Sequence, residues 1–126
     1  MRLSLALLLS LIAGPALADP CEAPLPKPGT VFSGPVEYIV DGDGWCVRTP
    51  AGLVEIRAAD FYAVEIGSPS GRDAKTRASR ALMGRTLRCV AGGRSYDRVV
   101  AHCTADGRPV SDLLRAAGVQ EGGRGR

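Results

Sequence analysis

Four cysteines limit what this chain of 126 residues can fold into more than any other feature. They are Cys21, Cys46, Cys89 and Cys103. An even number of cysteines in a small exported domain predicts two disulfides, and four cysteines allow three pairings. A zinc site is the alternative, but the sequence has no Cys-x-x-Cys pair and only one histidine, His102. Two disulfides are therefore favoured.

The amino-terminal residues predict that the chain is exported. Residues 1–18 begin with a single charge at Arg2, continue with an apolar run over 3–13, and end in small residues up to Ala18. This order is typical of a secretory signal that is cleaved after Ala18. The apolar run is too short to span a bilayer, so we expect no stable membrane anchor. The mature protein should be periplasmic or extracellular.

The remaining residues are enough for one domain. Prolines at four positions predict an extended, unpacked arm over 19–30, a folded domain over 31–120, and a glycine- and arginine-rich tail over 121–126. The formal net charge of the whole chain is only +3, which does not by itself indicate a nucleic-acid partner. We expect a monomer.

Five segments have the composition and alternation of β-strands. They cover 31–40 with a bend at Gly34-Pro35, then 45–49, 53–59, 86–91 and 98–105. Asp41-Gly42-Asp43-Gly44 predicts the first hairpin turn, and Gly92-Gly93-Arg94-Ser95 predicts the last.

Two segments have helix signals. Ser70 and Asp73 resemble a capping box, with an alanine-rich apolar stripe behind them and Gly84 as the end. A short helix is predicted from Ser111 to Ala117. Three strands, a helix, two strands and a helix predict a β-rich α+β fold, namely a five-stranded OB barrel with one helix between strands 3 and 4 and a short helix after strand 5. An open α+β sandwich is the alternative.

Charged residues of both signs cluster around two loops. The acids are Asp41, Asp43, Asp60 and Glu65, and the nearby arginines are Arg57 and Arg98. Carboxylates can hold a hard cation and orient water, and fixed guanidinium groups can neutralise charge on phosphoryl oxygens. This combination suits a phosphodiester substrate. Each residue alone has a simpler explanation as a turn, a solvated strand position or a polar loop.

A series of motifs accompanies these residues. They are Val40-Asp41-Gly42-Asp43, Glu55-Ile56-Arg57-Ala58-Ala59-Asp60-Phe61-Tyr62-Ala63-Val64-Glu65, Gly71-Arg72-Asp73-Ala74, Ser95-Tyr96-Asp97-Arg98-Val99-Val100-Ala101, and Asp106-Gly107 with Leu113-Leu114-Arg115-Ala116-Ala117-Gly118. In this order and spacing they closely resemble the staphylococcal-nuclease-like (thermonuclease) family over residues 31–118. The resemblance implies an OB barrel and a calcium-dependent enzyme that hydrolyses the phosphodiesters of DNA or RNA.

The resemblance also implies roles for the site residues. Arg57 and Arg98 would bind the phosphate, and Glu65 would orient or activate the attacking water. Tyr96 would lie near the terminal phosphate of the nucleic acid. The alternative function is that of a non-catalytic OB module that binds nucleic acid or another anionic ligand through the same arginines.

The expected calcium site departs from the family pattern. The resemblance makes Asp43 the first Ca²⁺ ligand, with Asp41 beside it. The family loop reads Asp-Ala-Pro-Glu or Asp-Thr-Pro-Glu, and its aspartate is the second ligand, whereas this chain has Tyr62 at that position. A neutral phenol is a poor calcium ligand. Asp60, two residues earlier, is the nearest acid that could reach back to replace it.

The disulfide pairing can be predicted from the last hairpin. Cys89 and Cys103 are equally distant from residue 96, so antiparallel strands 4 and 5 would set them opposite each other. Cys46 on strand 2 is then left for Cys21 on the arm. Two further residues have simple interpretations: His102 as an outward-facing strand residue and Trp45 as a packed core residue.

Overall fold

The computed structural model describes residues 20–122, so the predicted signal peptide and the last four residues of the tail lie outside the described part. The strands are β1 Val31–Asp41, β2 Gly44–Thr49, β3 Gly52–Ala58, β4 Thr86–Ser95, β5 Arg98–Ala105 and β6 Arg108–Pro109. The helices are α1 Pro69–Leu82 and α2 Val110–Ala116.

The first five strands form a closed barrel. Antiparallel pairing joins them in the order β3-β2-β1-β4-β5, and a parallel pairing of Ile56 with Val99 and of Ala58 with Ala101 joins β3 to β5. β6 adds a short outer strand beside β5. The closure confirms the predicted OB-type α+β fold and rules out the open sandwich.

Side chains that alternate along the strands fill the barrel. Trp45 and Ile56 are among the largest fully buried side chains, which confirms the simpler interpretation of Trp45. Helix α1 packs on this core through Ala74, Ala78 and Leu82. Because alanine side chains are short, the helix lies close to the strands it covers.

β1 changes its pairing partner where a bend was predicted. Residues up to Pro35 pair with β4, and residues from Val36 onward pair with β2, so one continuous strand takes part in both sides of the barrel. Gly34 is buried there, and a Cβ at that position would overlap the carbonyl oxygen of Arg48. The close contact between β1 and β2 therefore requires glycine at this position.

The predicted limits of the β4–β5 hairpin are wrong. Gly92 and Gly93 do not form the connection, because β4 continues to Ser95 after a register shift between Ala91 and Arg94. The turn lies at Tyr96 and the residue after it, and Tyr96 adopts a φ of 60°. The glycines occupy a bulge, which lengthens the hairpin.

Both predicted helix starts are also shifted. The hydroxyl of Ser68, not Ser70, accepts the N–H of Gly71, and Pro69 is the first helical residue, where a missing N–H costs nothing. Helix α2 begins at Val110, one residue before the predicted start at Ser111. Its N-cap residue is Pro109, and no side-chain hydrogen bond caps the helix there.

Both predicted disulfides are confirmed, Cys21–Cys46 and Cys89–Cys103. They indicate an oxidising, exported environment. The arm, however, is not unpacked: Cys21 is buried, and the N–H of Ala23 donates to the carbonyl of Leu53 with an N···O distance of 3.0 Å. Within residues 20–122, neither helix is long and apolar enough to cross a membrane.

Candidate functional site

The turn between β1 and β2 presents two carboxylates. The backbone N–H of Asp43 donates to Oδ1 of Asp41 over 3.1 Å, which orients the first carboxylate over the turn. Gly42 between them is buried, and a Cβ there would lie 2.6 Å from the Cβ of Ala63 and 3.0 Å from that of Ala74. The turn is therefore packed from beneath, and only glycine fits at its centre.

Arg57 lies in the same row of residues as Asp41. Gly44 pairs with Asp41 on one side and with Arg57 on the other, so the three residues cross β1, β2 and β3 at one level. A Cβ on Gly44 would come within 2.9 Å of Oδ1 of Asp41. The absence of a side chain at Gly44 leaves the Asp41 carboxylate room above β2, on the side towards Arg57.

The surroundings of Asp41 make it a weaker acid than usual. Burial, together with the side-chain hydrogen bond and the negative charge of Asp43, raises the pKa of Asp41 from 3.8 to about 6. The positive charge of Arg57 opposes them. A cation or a hydrogen-bond donor at this site would lower the cost of ionising Asp41.

The Arg57 guanidinium has an unsatisfied donor. Its Nε is buried and has no hydrogen-bond acceptor among residues 20–122. A buried donor without an acceptor is costly, and in proteins an ordered water, an ion or a bound ligand supplies the missing acceptor. Arg57 is thus suited to bind an anion next to the two acids.

The loop after β3 is tied to the turn and to the end of the described chain. Oδ2 of Asp43 accepts the N–H of Ala63 over 3.1 Å. The carbonyl of Tyr62 accepts the N–H of Gly122 over 2.7 Å. Glu65 is exposed farther along the loop. Three predicted site residues, Asp43, Tyr62 and Glu65, are therefore linked through one backbone segment.

Arg98 has a partner that the sequence did not predict. Its guanidinium lies 3.9 Å from Oε2 of Glu55, and its Nη2 donates to the hydroxyl of Ser95 over 3.2 Å. Glu55 is only 3% exposed. One sequence signal could have drawn attention to Glu55. Glu55 and Arg57 are two residues apart on β3, so the alternation of a strand puts them on the same, outer side of the barrel.

Two further predicted residues are Tyr96 and Asp60. Tyr96, at the tip of the β4–β5 hairpin, is 89% exposed. Oδ2 of Asp60 accepts the hydroxyl of Ser111 over 2.9 Å and lies 3.9 Å from Nδ1 of His102, so this oxygen is directed towards α2 and β5. The side chain of His102 is 70% exposed, as expected for an outward-facing strand residue.

The donor set for a metal is small. In the part of the chain that the structure describes, no group of three or more histidine, cysteine or acidic side chains could hold a metal ion. Asp41 and Asp43 offer the oxygen ligands that Ca²⁺ prefers, but Ca²⁺ takes six to eight. Water and substrate oxygens would have to supply the rest.

No family model and no curated protein matches the chain. The family resemblance therefore depends on the motifs alone.

Proposed function

We propose that this chain is a staphylococcal-nuclease-like domain that binds the phosphodiester backbone of DNA or RNA and hydrolyses it with the help of a metal ion. The observation that carries the proposal is the buried Nε of Arg57, which has no acceptor among residues 20–122 and lies in one row with Asp41. A phosphoryl oxygen would supply that acceptor through a charge-assisted hydrogen bond.

Each residue then has a defined task. Asp41 and Asp43 would hold a divalent cation such as Ca²⁺, which when bound neutralises negative charge that develops on the phosphate. Arg57 and Arg98 bind phosphoryl oxygens, and Glu65 accepts the proton of the attacking water. The exposure of Glu65 on its loop leaves it accessible to water and substrate.

A non-catalytic module that binds nucleic acid is the second candidate. Two observations favour it. Tyr62 is a phenol where a ligand carboxylate is expected, and Arg98 is already paired with the buried Glu55. The first removes a negative charge that would hold the metal ion, and the second neutralises a positive charge that would bind phosphate. Arg57 remains able to bind phosphate in both cases.

Digestion assays separate the two functions. Plasmid DNA, single-stranded DNA and RNA are incubated with Ca²⁺, with other divalent ions and with chelator, using the wild type, Glu65→Ala and Tyr62→Asp. Glu37→Ala is the matched control, because Glu37 is an exposed acid that pairs with Arg48. Hydrolysis by the wild type that only Glu65→Ala abolishes supports the enzyme.

Other outcomes favour the alternative or reject both. An inert wild type that binds DNA, together with a Tyr62→Asp variant that gains calcium-dependent cleavage, favours the binding module. Arg57→Gln should weaken binding in either case, whereas Arg88→Gln on the outer side of β4 should not. A wild type that neither binds nor cuts nucleic acid contradicts both functions.

The domain is expected to act outside the cytoplasm, in the periplasm or beyond the cell. The two disulfides support this expectation, because they persist in oxidising compartments. Amino-terminal sequencing of the mature protein tests it: cleavage after Ala18 gives a chain that starts at Asp19.

A further inference from the structure

An open cleft of about 290 Å³ lies between the arm and the tip of the β4–β5 hairpin. The arm contributes Glu22, Pro24 and Leu25, and the hairpin contributes Arg94 and Asp97. This volume is near the lower end of the range for small-molecule sites. None of the residues predicted to bind phosphate or metal lines the cleft.

The charged side chains of the cleft are unengaged. Glu22, Arg94 and Asp97 are exposed, and none of these side chains forms a hydrogen bond or ion pair with another residue between 20 and 122. The carboxylates of Glu22 and Asp97 outnumber the single guanidinium of Arg94, so the net charge of the cleft is negative. The cleft would therefore repel a phosphate group. A neutral group that offers both donors and acceptors fits better, with its flat apolar faces against Pro24 and Leu25.

We propose that this cleft binds a guanine base of a single-stranded nucleic acid. The inference rests on the proposed function and deepens it, because Asp97 directly precedes Arg98, one of the two arginines assigned to the phosphate. Among the bases, only guanine has two adjacent donors, N1–H and the N2 amine, which match the two oxygens of one carboxylate. Its O6 and N7 match the donor fork of Arg94. Unstacked bases of single strands are accessible for such contacts.

The arm that forms one wall of the cleft is fixed. Cys21 is bonded to Cys46 on β2, and the N–H of Ala23 donates to the carbonyl of Leu53. The wall therefore exists before the ligand arrives, and little ordering cost is paid on binding. An unpacked arm, as the sequence predicted, would not form this cleft.

Binding of oligothymidylate with one central substitution tests the proposal. The central base is guanine, hypoxanthine (the base of inosine), adenine, cytosine or thymine. A chelator is present to prevent cleavage. We expect the wild type to bind the guanine oligonucleotide about tenfold more tightly than the others, inosine included, because inosine lacks the N2 amine. Asp97→Asn and Arg94→Gln should abolish this preference without changing the affinity for all-thymine DNA. Arg88→Gln, outside the cleft, should retain it.

The outcomes distinguish this inference from the proposed function. Equal affinity for all five oligonucleotides overturns the guanine site while the phosphodiester site stands. If no oligonucleotide binds, the proposed function fails. In that case a titration with guanosine, followed by NMR, tests whether the cleft binds guanine independently of nucleic-acid binding. Amide shifts confined to residues 21–25 and 94–97 support the guanine site, and their absence overturns it.

Discussion

At the residue scale, Asp41 makes the stability of the protein depend on pH. Its raised pKa means that the folded state binds a proton more tightly than the unfolded state between pH 3.8 and about 6. Its contribution to stability is therefore fully present below 3.8 and is lost as the pH rises through about 6.

We expect this loss to be on the order of 2 kcal/mol, allowing for partial exposure of the carboxylate. Asp41→Asn keeps an oxygen that can accept the N–H of Asp43 and cannot ionise, so its free energy of unfolding should not fall over this range. Urea unfolding of both proteins in chelator at several pH values is the measurement. Parallel pH profiles for the two proteins would contradict the expectation.

Glu55 is a second residue whose charge should limit function. It faces Arg98 from a buried position, so Glu55→Gln leaves that guanidinium without its counter-charge. If the face binds phosphate, the affinity for single-stranded DNA should rise several-fold, and the slope of log affinity against log salt should steepen by about one.

The control for this prediction is Glu37→Gln, which removes an acid that pairs with an exposed arginine elsewhere. Equal effects of the two substitutions would indicate that only the net charge matters. Thermal unfolding of both variants shows whether the loss of the buried carboxylate alters the fold.

The sequence predicted Asp41 and Arg57 as site residues, because a turn and an alternating strand fix their positions locally, whereas the row that they share follows from the register of the strands. The sequence could not reveal that Glu55 is buried beside Arg98, since the alternation along β3 shows only that Glu55 and Arg57 lie on the same side of the strand. Its burial depends on tertiary packing, which a local pattern does not encode. The polar partner of Arg98 was missed for that reason.

At the scale of elements, the start of α1 depends on Ser68. Ser68→Ala removes the acceptor for the N–H of Gly71 and should lower the free energy of unfolding by about 1 kcal/mol. Ser70→Ala, which replaces the residue that the sequence favoured, should change it by less than half as much. Denaturant unfolding of the two variants compares them directly.

The error in this start has a physical cause. Both serines precede an apolar stripe, and a cap is chosen by backbone position rather than by residue type. Pro69 favours the first helical position, which moves the cap to the residue before it. The error in the limits of the β4–β5 hairpin has a similar cause. Gly92 and Gly93 allow a bulge as readily as a turn, so residue type alone does not place the turn. The type and order of the five barrel strands and the two helices were nevertheless predicted correctly, whereas the short outer strand β6 was not predicted.

At the scale of the whole molecule, the Cys21–Cys46 disulfide joins the arm to the barrel. The pair of substitutions Cys21→Ala and Cys46→Ala should lower the free energy of unfolding by about 2–4 kcal/mol and leave the barrel folded. The arm should then become accessible to a glutamate-specific protease at Glu22.

The matched control removes the other disulfide through Cys89→Ala and Cys103→Ala. That bridge joins two barrel strands, so its loss should not expose Glu22 while the protein remains folded. Mass spectrometry of timed digests measures both cases. Rapid cleavage at Glu22 in the wild type would contradict the packed arm.

The hydrogen bonds at the end of the described chain have a practical consequence. The backbone of Gln120 accepts the N–H of Val64, and Gly122 donates to Tyr62, so the loop that carries Glu65 is held by backbone groups of residues 120 and 122. Truncation of the chain before residue 120 would act directly on this loop. Recombinant protein for activity assays should therefore retain residues 120–122.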